Sequence, residues 1–321
     1  MAYFRKADTG MMNVFCNLTL SDVQKARLQR GLGKVQLHHF DESVPENIAR
    51  PYFEKSDIVF GNPPSSWIVT HPSLCWVQLE SVGFGEYLSL NWNTLGNRLT
   101  ITNLSGFFSD PVAESILASV LAFYRGIDRL VLLKHAADWQ GDLLRPSLRT
   151  LHGANVVLFG QGAVNARFAD LIAPFGCSIT RFGRGWETAS LNKSLAQADL
   201  VVSTVPDTPE TRGVFDRGRL NHMKRGSIFA NFGRGSVVHD DALADALEGG
   251  LLMGAVIDVT RDEPLPVEHR FWRTPNLILT QHSGGGTGNE IDRKIEWFLD
   301  NFGRYQRGEK LHAVVDFARG Y

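Results

Sequence analysis

The sequence predicts an α/β protein of two domains, each built around a mostly parallel, doubly wound sheet. Its 321 residues correspond to about two domains at roughly 150 residues per domain. Short β-branched runs alternate with segments of helical pattern, which is typical of β-α-β units. The runs from Asn155 onward are almost continuously apolar, as expected of parallel strands that helices cover on both faces.

The elements are predicted in chain order from these patterns. The first ten residues lack the apolar segment of a signal peptide, and we interpret them as a loose tail or the result of a misassigned start codon. A helix is predicted at 110–125, because Asp110-Pro111 is a helix start signal. Another is predicted at 289–305, where apolar residues share one helical face. The predicted strands include 13–20, 57–60, 155–159, 200–203, 227–230 and 254–257.

Composition argues against several classes of protein. With 43% hydrophobic residues, 21% charged residues and a net charge of −1, the chain is neither disordered nor fibrous and has no basic field for nucleic acid or anionic lipid. No apolar run approaches the roughly 18 residues that span a bilayer. Cys16, Cys75 and Cys177 are far apart, so neither a disulfide framework nor a metal site is expected. We therefore expect a cytoplasmic protein without nucleic-acid or membrane partners.

A glycine-rich loop stands where a dinucleotide-binding loop is required. Gly160-Gln161-Gly162-Ala163-Val164-Asn165 follows a predicted strand and precedes a predicted helix. Gly160 permits the tight turn, and Gly162 lets the backbone approach a pyrophosphate at the positive end of the helix. Asn165 replaces the third glycine of the pattern. The alternative for such an imperfect motif is a glycine turn that binds no ligand.

The end of the next predicted strand bears on the choice of cofactor. A protein that binds NAD commonly has a carboxylate there for the ribose 2′-hydroxyl, whereas this chain reads Thr180-Arg181-Phe182-Gly183-Arg184. Arg184, with Arg181 near it, is suited to pair with the 2′-phosphate of NADP. The alternative is that both arginines are solvated surface charges. The loop favours NADP(H) over NAD(H).

Three ionisable residues, Arg234, Glu263 and His282, each follow an apolar strand of the second half. Ligands of open α/β sheets bind beyond the carboxyl ends of the strands, so the three loops can converge on one crevice. Each residue alone would be read as a surface charge or a turn residue. Together they offer an anion clamp, an orienting carboxylate and a group that transfers protons.

From residue 155 to residue 287 the sequence resembles the D-isomer-specific 2-hydroxyacid dehydrogenases, which include the glyoxylate/hydroxypyruvate reductases. The resemblance runs through the glycine loop, PDTPETRG at 206–213, MKRG at 223–226, NFGRG at 231–235, and the stretches 258–266 and 279–285, with fainter similarity at 76–83, 110–114, 314–317 and 320–321. It implies a smaller flavodoxin-like substrate domain, residues 1–103 and 287–321. A Rossmann-type cofactor domain, residues 104–286, would be inserted in it, with the active site in the cleft.

The resemblance also implies residue roles. Arg234 would hold the substrate carboxylate and polarise its carbonyl, while His282 would exchange a proton with the C2 oxygen and Glu263 would pair with His282. Backbone amides around Val82 and Gly83 would bind the substrate carboxylate, and Asp258 would meet the nicotinamide carboxamide. The cofactor-binding residues implied are Gly160, Gly162, Ala163, Val164, Arg184, Pro206, Thr211, Phe232, Gly233, Asp258 and Gly284.

Some positions depart from the family pattern or concern assembly. Gln281 stands where the family commonly has proline, Gly85 where it often has aspartate, and Asn165 where it has glycine. None of these removes a catalytic group. Trp139 matches an arm that packs against a second subunit in related reductases and can lend an aromatic ring to its site. Ordinary packing, in the dimer or in the core, is the favoured interpretation of Trp139, because buried tryptophan usually serves packing. The resemblance thus implies a homodimer.

The expected function is that of an oxidoreductase. It would transfer a hydride from NAD(P)H to a small 2-oxo acid of the glyoxylate/hydroxypyruvate type and give a D-2-hydroxy acid. The alternative is a dinucleotide-sensing binding protein of the same fold without significant turnover. Arg234, Glu263 and His282 argue against that alternative, because a pure binder needs no proton donor paired to an acid.

Overall fold

A computed structural model describes residues 11–41, 43–96 and 98–317. The expectations for the first ten residues and for residues 320–321 lie outside these ranges. The chain divides into two compact units. The first unit comprises the described residues up to Ser105 together with those from Thr287 onward, and the second unit runs from Gly106 to Gly286.

Strands and helices alternate through both units. The strands of the described residues are β1 (Asn13–Cys16), β2 (Gln36–His39), β3 (Ile58–Phe60), β4 (Trp76–Gln78), β5 (Thr100–Thr102), β6 (Asn155–Phe159), β7 (Ser178–Phe182), β8 (Leu200–Ser203), β9 (Ile228–Asn231), β10 (Gly254–Ile257) and β11 (Leu277–Leu279). The α-helices are α1 (Asp22–Leu32), α2 (Glu46–Phe53), α3 (Ser65–Thr70), α4 (Trp92–Leu95), α5 (Ser109–Arg125), α6 (Ile127–His135), α7 (Gly141–Leu144), α8 (Ala163–Ile172), α9 (Thr188–Leu195), α10 (Arg217–His222), α11 (Asp240–Glu248) and α12 (Glu290–Arg307).

The first unit contains a five-stranded sheet in the order β2-β1-β3-β4-β5, with every neighbouring pair parallel. This is the flavodoxin-like strand order, whose direction reverses between β1 and β3. The run predicted as one strand at 13–20 is a strand only to Cys16. The residues after it lead into α1, whose first turn Ser21 caps through a capping box with Gln24. The helix predicted at 289–305 is α12, and its Phe298 ring stacks on Phe60 with the centroids 4.4 Å apart.

The second unit contains a six-stranded sheet in the order β11-β10-β9-β8-β6-β7, again parallel throughout. Its direction reverses between β6 and β8, as in doubly wound folds. Successive β6 residues enter opposite cores: Val157 and Phe159 join one cluster, and Val156 and Leu158 join the other. Helices cover both faces, which explains the continuous apolar runs. The predicted fold class, with a Rossmann-type domain inserted in a flavodoxin-like one, is confirmed.

The long helix predicted at 110–125 is α5, and it lies within the second unit. Its apolar face, which includes Ile116, Val120 and Phe123, joins the core cluster that also receives Val156 and Leu158 of β6. Gly254 of β10 permits this packing, because a Cβ there would lie 2.7 Å from the Phe123 ring. Among the described residues, no helix combines the length and apolar character needed to cross a bilayer.

Candidate active site

His282 and Glu263 lie in contact at the carboxyl edge of the second sheet. His282 follows β11 and Glu263 lies in the loop after β10, and His282 Nδ1 is 2.7 Å from Glu263 Oε2. The backbone N–H of Thr260 donates to Glu263 Oε1 at 2.9 Å, so both carboxylate oxygens are engaged. A histidine held through Nδ1 by a carboxylate leaves Nε2 for proton exchange. The pair thus has the arrangement of an oriented general acid or base.

The electrostatics of the pair follow from its surroundings. Partial burial acts to raise the pKa of Glu263, but the hydrogen bonds from His282 and the Thr260 N–H and the charge of Arg234 outweigh it. The pKa of this carboxyl is therefore held below its usual range. Glu263 is ionised at neutral pH and able to stabilise a positive charge on His282.

Arg234 stands in the loop after β9, on the same edge of the sheet. Its Nη1 donates to the Gly233 carbonyl at 2.7 Å, and its own carbonyl accepts from Asn231 Nδ2 at 2.9 Å. Its charge lowers the pKa of Glu263 through space. Gly235 lets this loop approach the Glu263 loop, since a Cβ there would lie 2.1 Å from the Thr260 carbonyl carbon.

The glycine loop after β6 has the shape that a dinucleotide requires. Gly160 has φ +118, which favours glycine, and a Cβ there would lie 2.9 Å from Thr204 Oγ1. Gly162 caps α8, and the space around its missing Cβ is open. Asn165, in place of the third glycine, is buried and donates through Nδ2 to the carbonyls of Phe159 and Gly160 at 3.3 and 2.9 Å. The amide thus ties α8 to the loop.

The residues of this loop and its neighbours fit a bound dinucleotide. The open space at Gly162 lies at the N-terminus of α8, which suits a pyrophosphate. Two buried polar atoms beside the loop, Asn165 Oδ1 and Thr204 Oγ1, have no hydrogen-bond partner within the described residues. Gly284 is confined, because a Cβ there would lie 2.9 Å from the Phe232 ring. The open space at the helix N-terminus suits the phosphates of a dinucleotide, and the two polar atoms without a partner could bind it.

The other predicted cofactor residues surround the same edge of the second sheet. Thr211 donates through Oγ1 to the Pro206 carbonyl at 2.6 Å in the loop after β8. Arg184 is exposed at the end of β7, beyond Gly183. Gly183 lies under the Gln161 side chain, where a Cβ would be 2.6 Å from the Gln161 carboxamide. The remaining predicted residues lie in the loops already described: Ala163 and Val164 begin α8, Phe232 and Gly233 follow β9, and Asp258 follows β10.

Val82 and Gly83 lie in the first unit, in an exposed loop after β4. Asn103 Nδ2 donates to the Val82 carbonyl at 2.7 Å, and the Ser81 hydroxyl donates to the Gly83 carbonyl at 2.7 Å. Gly85 begins a short 3-10 turn in the same segment. The carbonyls of Val82 and Gly83 are thus held by side chains.

Sequence reasoning missed several residues that hold the site. Thr260 positions the Glu263 carboxylate, Asn231 supports the Arg234 loop, and the Thr280 hydroxyl donates to Asp258 Oδ1 at 2.5 Å. The available signal was modest: each is a small polar residue at the end of an apolar strand, next to an ionisable side chain. Small polar residues often hydrogen-bond to nearby backbone groups in turns. Their position alone therefore does not show which of them hold an ionisable side chain in place.

Comparisons with known proteins agree with this geometry. Residues 117–284 match the family described as "D-isomer specific 2-hydroxyacid dehydrogenase, NAD binding domain". A glyoxylate/hydroxypyruvate reductase A from Citrobacter koseri is 28% identical over 220 residues, which cover 65% of this chain and 68% of that protein. The crystal structure of a D-isomer specific 2-hydroxyacid dehydrogenase family protein from Aeromonas salmonicida has a TM-score of 0.79 at 25% identity, covering 96% of this chain and 100% of the other.

A further solved structure shares the fold at lower identity. An NADPH-dependent glyoxylate/hydroxypyruvate reductase from Sinorhizobium meliloti, solved with NADP and sulfate, has a TM-score of 0.76 at 21% identity and covers 97% of this chain and 100% of that one. The matched family region spans about half of the chain and contains the glycine loop, Arg234, Glu263 and His282. The chain therefore belongs to the D-isomer-specific 2-hydroxyacid dehydrogenases and is an NAD(P)-dependent oxidoreductase.

Proposed function

We propose that the protein reduces a small 2-oxo acid of the glyoxylate or hydroxypyruvate type to the D-2-hydroxy acid, with NADPH as the preferred hydride donor. One observation carries the proposal: His282 and Glu263 are 2.7 Å apart at the carboxyl edge of the sheet that also bears Arg234 and the dinucleotide loop. Proton transfer, anion binding and dinucleotide binding are thus available on one edge of one sheet.

The reaction follows from the chemistry of these side chains. The nicotinamide, when bound, supplies a hydride to the carbonyl carbon of the substrate. His282, protonated at Nε2, donates a proton to the oxygen on which negative charge develops. Glu263 holds Nδ1 and stabilises the imidazolium before transfer. Arg234 offers a planar pair of N–H donors that matches the substrate carboxylate.

Backbone amides of the first unit would bind the substrate carboxylate as well. In the described part of the chain, the N–H groups of Val82 and Gly83 make no intramolecular hydrogen bond, while Asn103 and Ser81 hold the carbonyls of the same loop. Adjacent N–H groups that make no hydrogen bond within the protein are available to bind an anion. We accordingly assign residues 1–103 and 287–321 to the substrate domain and residues 104–286 to the cofactor domain.

The preference for NADPH is inferred from β7 and its loop. The stretch Thr180-Arg181-Phe182-Gly183-Arg184 at the end of β7 contains no carboxylate, and both of its arginines are exposed. A guanidinium binds a phosphate through charge-assisted hydrogen bonds that the 2′-hydroxyl of NADH does not offer. The Sinorhizobium meliloti reductase of the same fold is NADPH-dependent, which supports this inference.

A homodimer is proposed from exposed apolar side chains of the second unit. Leu130, Val131 and Leu132 of α6 are exposed, and Trp139 and Leu143 beyond it are 95% and 78% exposed. Exposed apolar side chains that form a contiguous patch mark an interaction surface. We propose that a second copy of the chain covers them, with Trp139 in that interface. The cytoplasmic location stays a prediction.

The proposal is tested by following the absorbance of NADPH and, separately, NADH with glyoxylate, hydroxypyruvate, pyruvate and phenylpyruvate. We expect oxidation of NADPH with the two- and three-carbon acids, and its loss in His282→Ala with cofactor binding retained. The matched control is His222→Ala, which alters an exposed histidine at the end of α10. Tight cofactor binding without turnover of any acid would instead favour a dinucleotide-sensing protein.

A further inference from the structure

The segment that follows β4, residues 80–83, is held at its beginning by polar contacts from Asn62. The Glu80 N–H donates to Asn62 Oδ1 at 3.2 Å, and Asn62 Nδ2 donates to the Ser81 hydroxyl oxygen at 3.3 Å. Asn62 follows β3, the neighbour of β4 in the first sheet, so the ends of two adjacent strands are tied together. Residues 82 and 83 are exposed, and apolar packing therefore contributes little to their order.

Lys294 of α12 is a buried lysine that contacts the same segment. It is 7% exposed, and lysine is seldom buried unless it is paired. Its Nζ lies 2.9 Å from Glu290 Oε1, one turn earlier on the helix, and 3.4 Å from Glu80 Oε2. The side chains of Glu80 and Glu290 are less than one third exposed, so solvent ions screen these pairs less than pairs on the open surface. The C-terminal helix thus holds the residue with which the segment begins.

The two N–H groups proposed to bind the substrate carboxylate, those of Val82 and Gly83, belong to this segment. They make no hydrogen bond among the described residues, so no internal partner orients them. A loop that is ordered only when its ligand arrives loses affinity to the cost of that ordering. Asn62 and Lys294 both fix Glu80, two residues ahead of the first of these N–H groups, and they do so without using either of them.

We propose that Asn62 and Lys294 are positioning residues for the substrate carboxylate, which act through Glu80 and order residues 82 and 83 before the substrate binds. The inference rests on the proposed function for the identity of the bound anion, whereas the ordering of the segment stands on its own contacts. Neither residue takes part in proton or hydride transfer. The kinetic constant that they control is therefore KM for the 2-oxo acid, with little effect on kcat.

The test uses the full-length protein and two measurements. One is steady-state kinetics with NADPH and the 2-oxo acid that the absorbance assay identifies, and the other is ¹⁵N relaxation of the Val82 and Gly83 N–H groups. Lys294→Met removes the charge and keeps an unbranched side chain. We expect KM for the 2-oxo acid to rise about tenfold, with kcat and KM for NADPH within about twofold of the wild type. The order parameters of both N–H groups should fall from about 0.85 to below about 0.6.

A double-mutant cycle shows whether Lys294 acts through Glu80. Glu80→Gln alone should raise KM for the 2-oxo acid by a similar factor, because it removes the charge that Lys294 holds. In the Glu80→Gln background, Lys294→Met should then change KM by less than about twofold. A lysine that served only to pair with Glu290 or to fill space would have the same effect in both backgrounds.

The contact from β3 is tested separately, with Asn62→Ala and Asn62→Asp. Asn62→Ala removes both of its hydrogen bonds to the segment and should raise KM for the 2-oxo acid and lower the two order parameters. Asn62→Asp keeps an oxygen for the Glu80 N–H and should have the smaller effect on both measurements.

Arg27→Met is the matched control for Lys294→Met. Arg27 of α1 is also a cation paired with an acidic residue of α12, with its Nη1 2.9 Å from Asp292 Oδ1. The variant therefore breaks an ion pair of the same helix without touching residues 80–83. It should leave KM and the order parameters of Val82 and Gly83 at their wild-type values, whatever its effect on Tm.

Wild-type KM and wild-type order parameters in both Lys294→Met and Asn62→Ala would overturn the proposal. Equal increases of KM from Lys294→Met in the two Glu80 backgrounds would also overturn it. If Lys294→Met does not fold, Glu80→Gln and Asn62→Ala decide by the same two measurements. If the wild-type protein turns over no 2-oxo acid, the proposed function fails, whereas the order parameters still support or refute the ordering of the segment.

Discussion

Replacing Glu263 by glutamine tests the contact on which the proposed chemistry depends. Glutamine keeps the size of the side chain and an oxygen for the Thr260 N–H, but it removes the negative charge beside His282. A hydrogen bond to a charged group contributes about 1.5–3 kcal/mol. The side chains of His282 and Glu263 are 57% and 38% exposed, so solvent screening places this pair at the lower end, about 1.5 kcal/mol. That free energy corresponds to roughly a tenfold loss of kcat.

The assay is kcat against pH for the wild type and Glu263→Gln, together with thermal unfolding at each pH. The pKa of Glu263 is lowered in the folded protein, so the unfolded chain binds more protons in the window below the ordinary glutamate pKa. The contribution of Glu263 to stability is complete above about pH 4.3, the ordinary pKa of glutamate, and is lost as pH falls through the lower pKa of Glu263 in the folded protein. Glu263→Gln should lack this acid-dependent loss.

Glu309→Gln is the matched control for the charge change. The pKa of Glu309 is lowered by the hydrogen bond from Arg307, so this variant also loses an acid-dependent contribution to stability, but it lies in the first unit after α12. It should keep wild-type kcat at every pH. If Glu263→Gln also keeps wild-type kcat across the profile, the idea that this carboxylate orients and stabilises His282 is refuted.

Three further predictions concern other parts of the chain. His71 is buried; it donates through Nε2 to the Phe53 carbonyl at 2.9 Å and accepts the Leu74 N–H at 2.9 Å, and burial lowers its pKa. As pH falls, this histidine is therefore protonated in the unfolded chain before it is protonated in the folded protein. Tm should consequently fall more steeply in the wild type than in His71→Gln as pH drops below about 6.5. Asn165→Gly removes two buried hydrogen bonds that tie α8 to the end of β6 and the glycine loop. It should lower the free energy of unfolding by about 1–2 kcal/mol in denaturant titrations, a result that an unchanged midpoint would contradict. Arg184→Ser should raise KM for NADPH about tenfold or more while leaving KM for NADH unchanged, and equal effects on both would remove the basis for the cofactor preference.

Burial decided which strands the sequence could predict. β8 and β9 are fully buried, and their apolar runs predict them directly. β2 is an edge strand of the first sheet whose residues are half-buried or exposed, so Gln36–His39 shows no apolar run and was not predicted. β7 is the corresponding edge of the second sheet and was recognised by its position after the glycine loop. A clear apolar run therefore predicts a strand from pattern alone, whereas strands such as β2 and β7, whose residues are mostly partly or fully exposed, need a motif or a neighbour to identify them.

Some residues of the site can be predicted from their type and position in the sequence, whereas others are identified only by their contacts in the structure. Arg234, Glu263 and His282 are conspicuous because they are ionisable and follow apolar strands. The residues that orient them act through contacts between loops that are distant in sequence: Thr260 reaches Glu263, and Asp258 meets both Thr280 and Gly284. Such contacts have no local signature, because a threonine after a strand is ordinary turn chemistry until its partner is known.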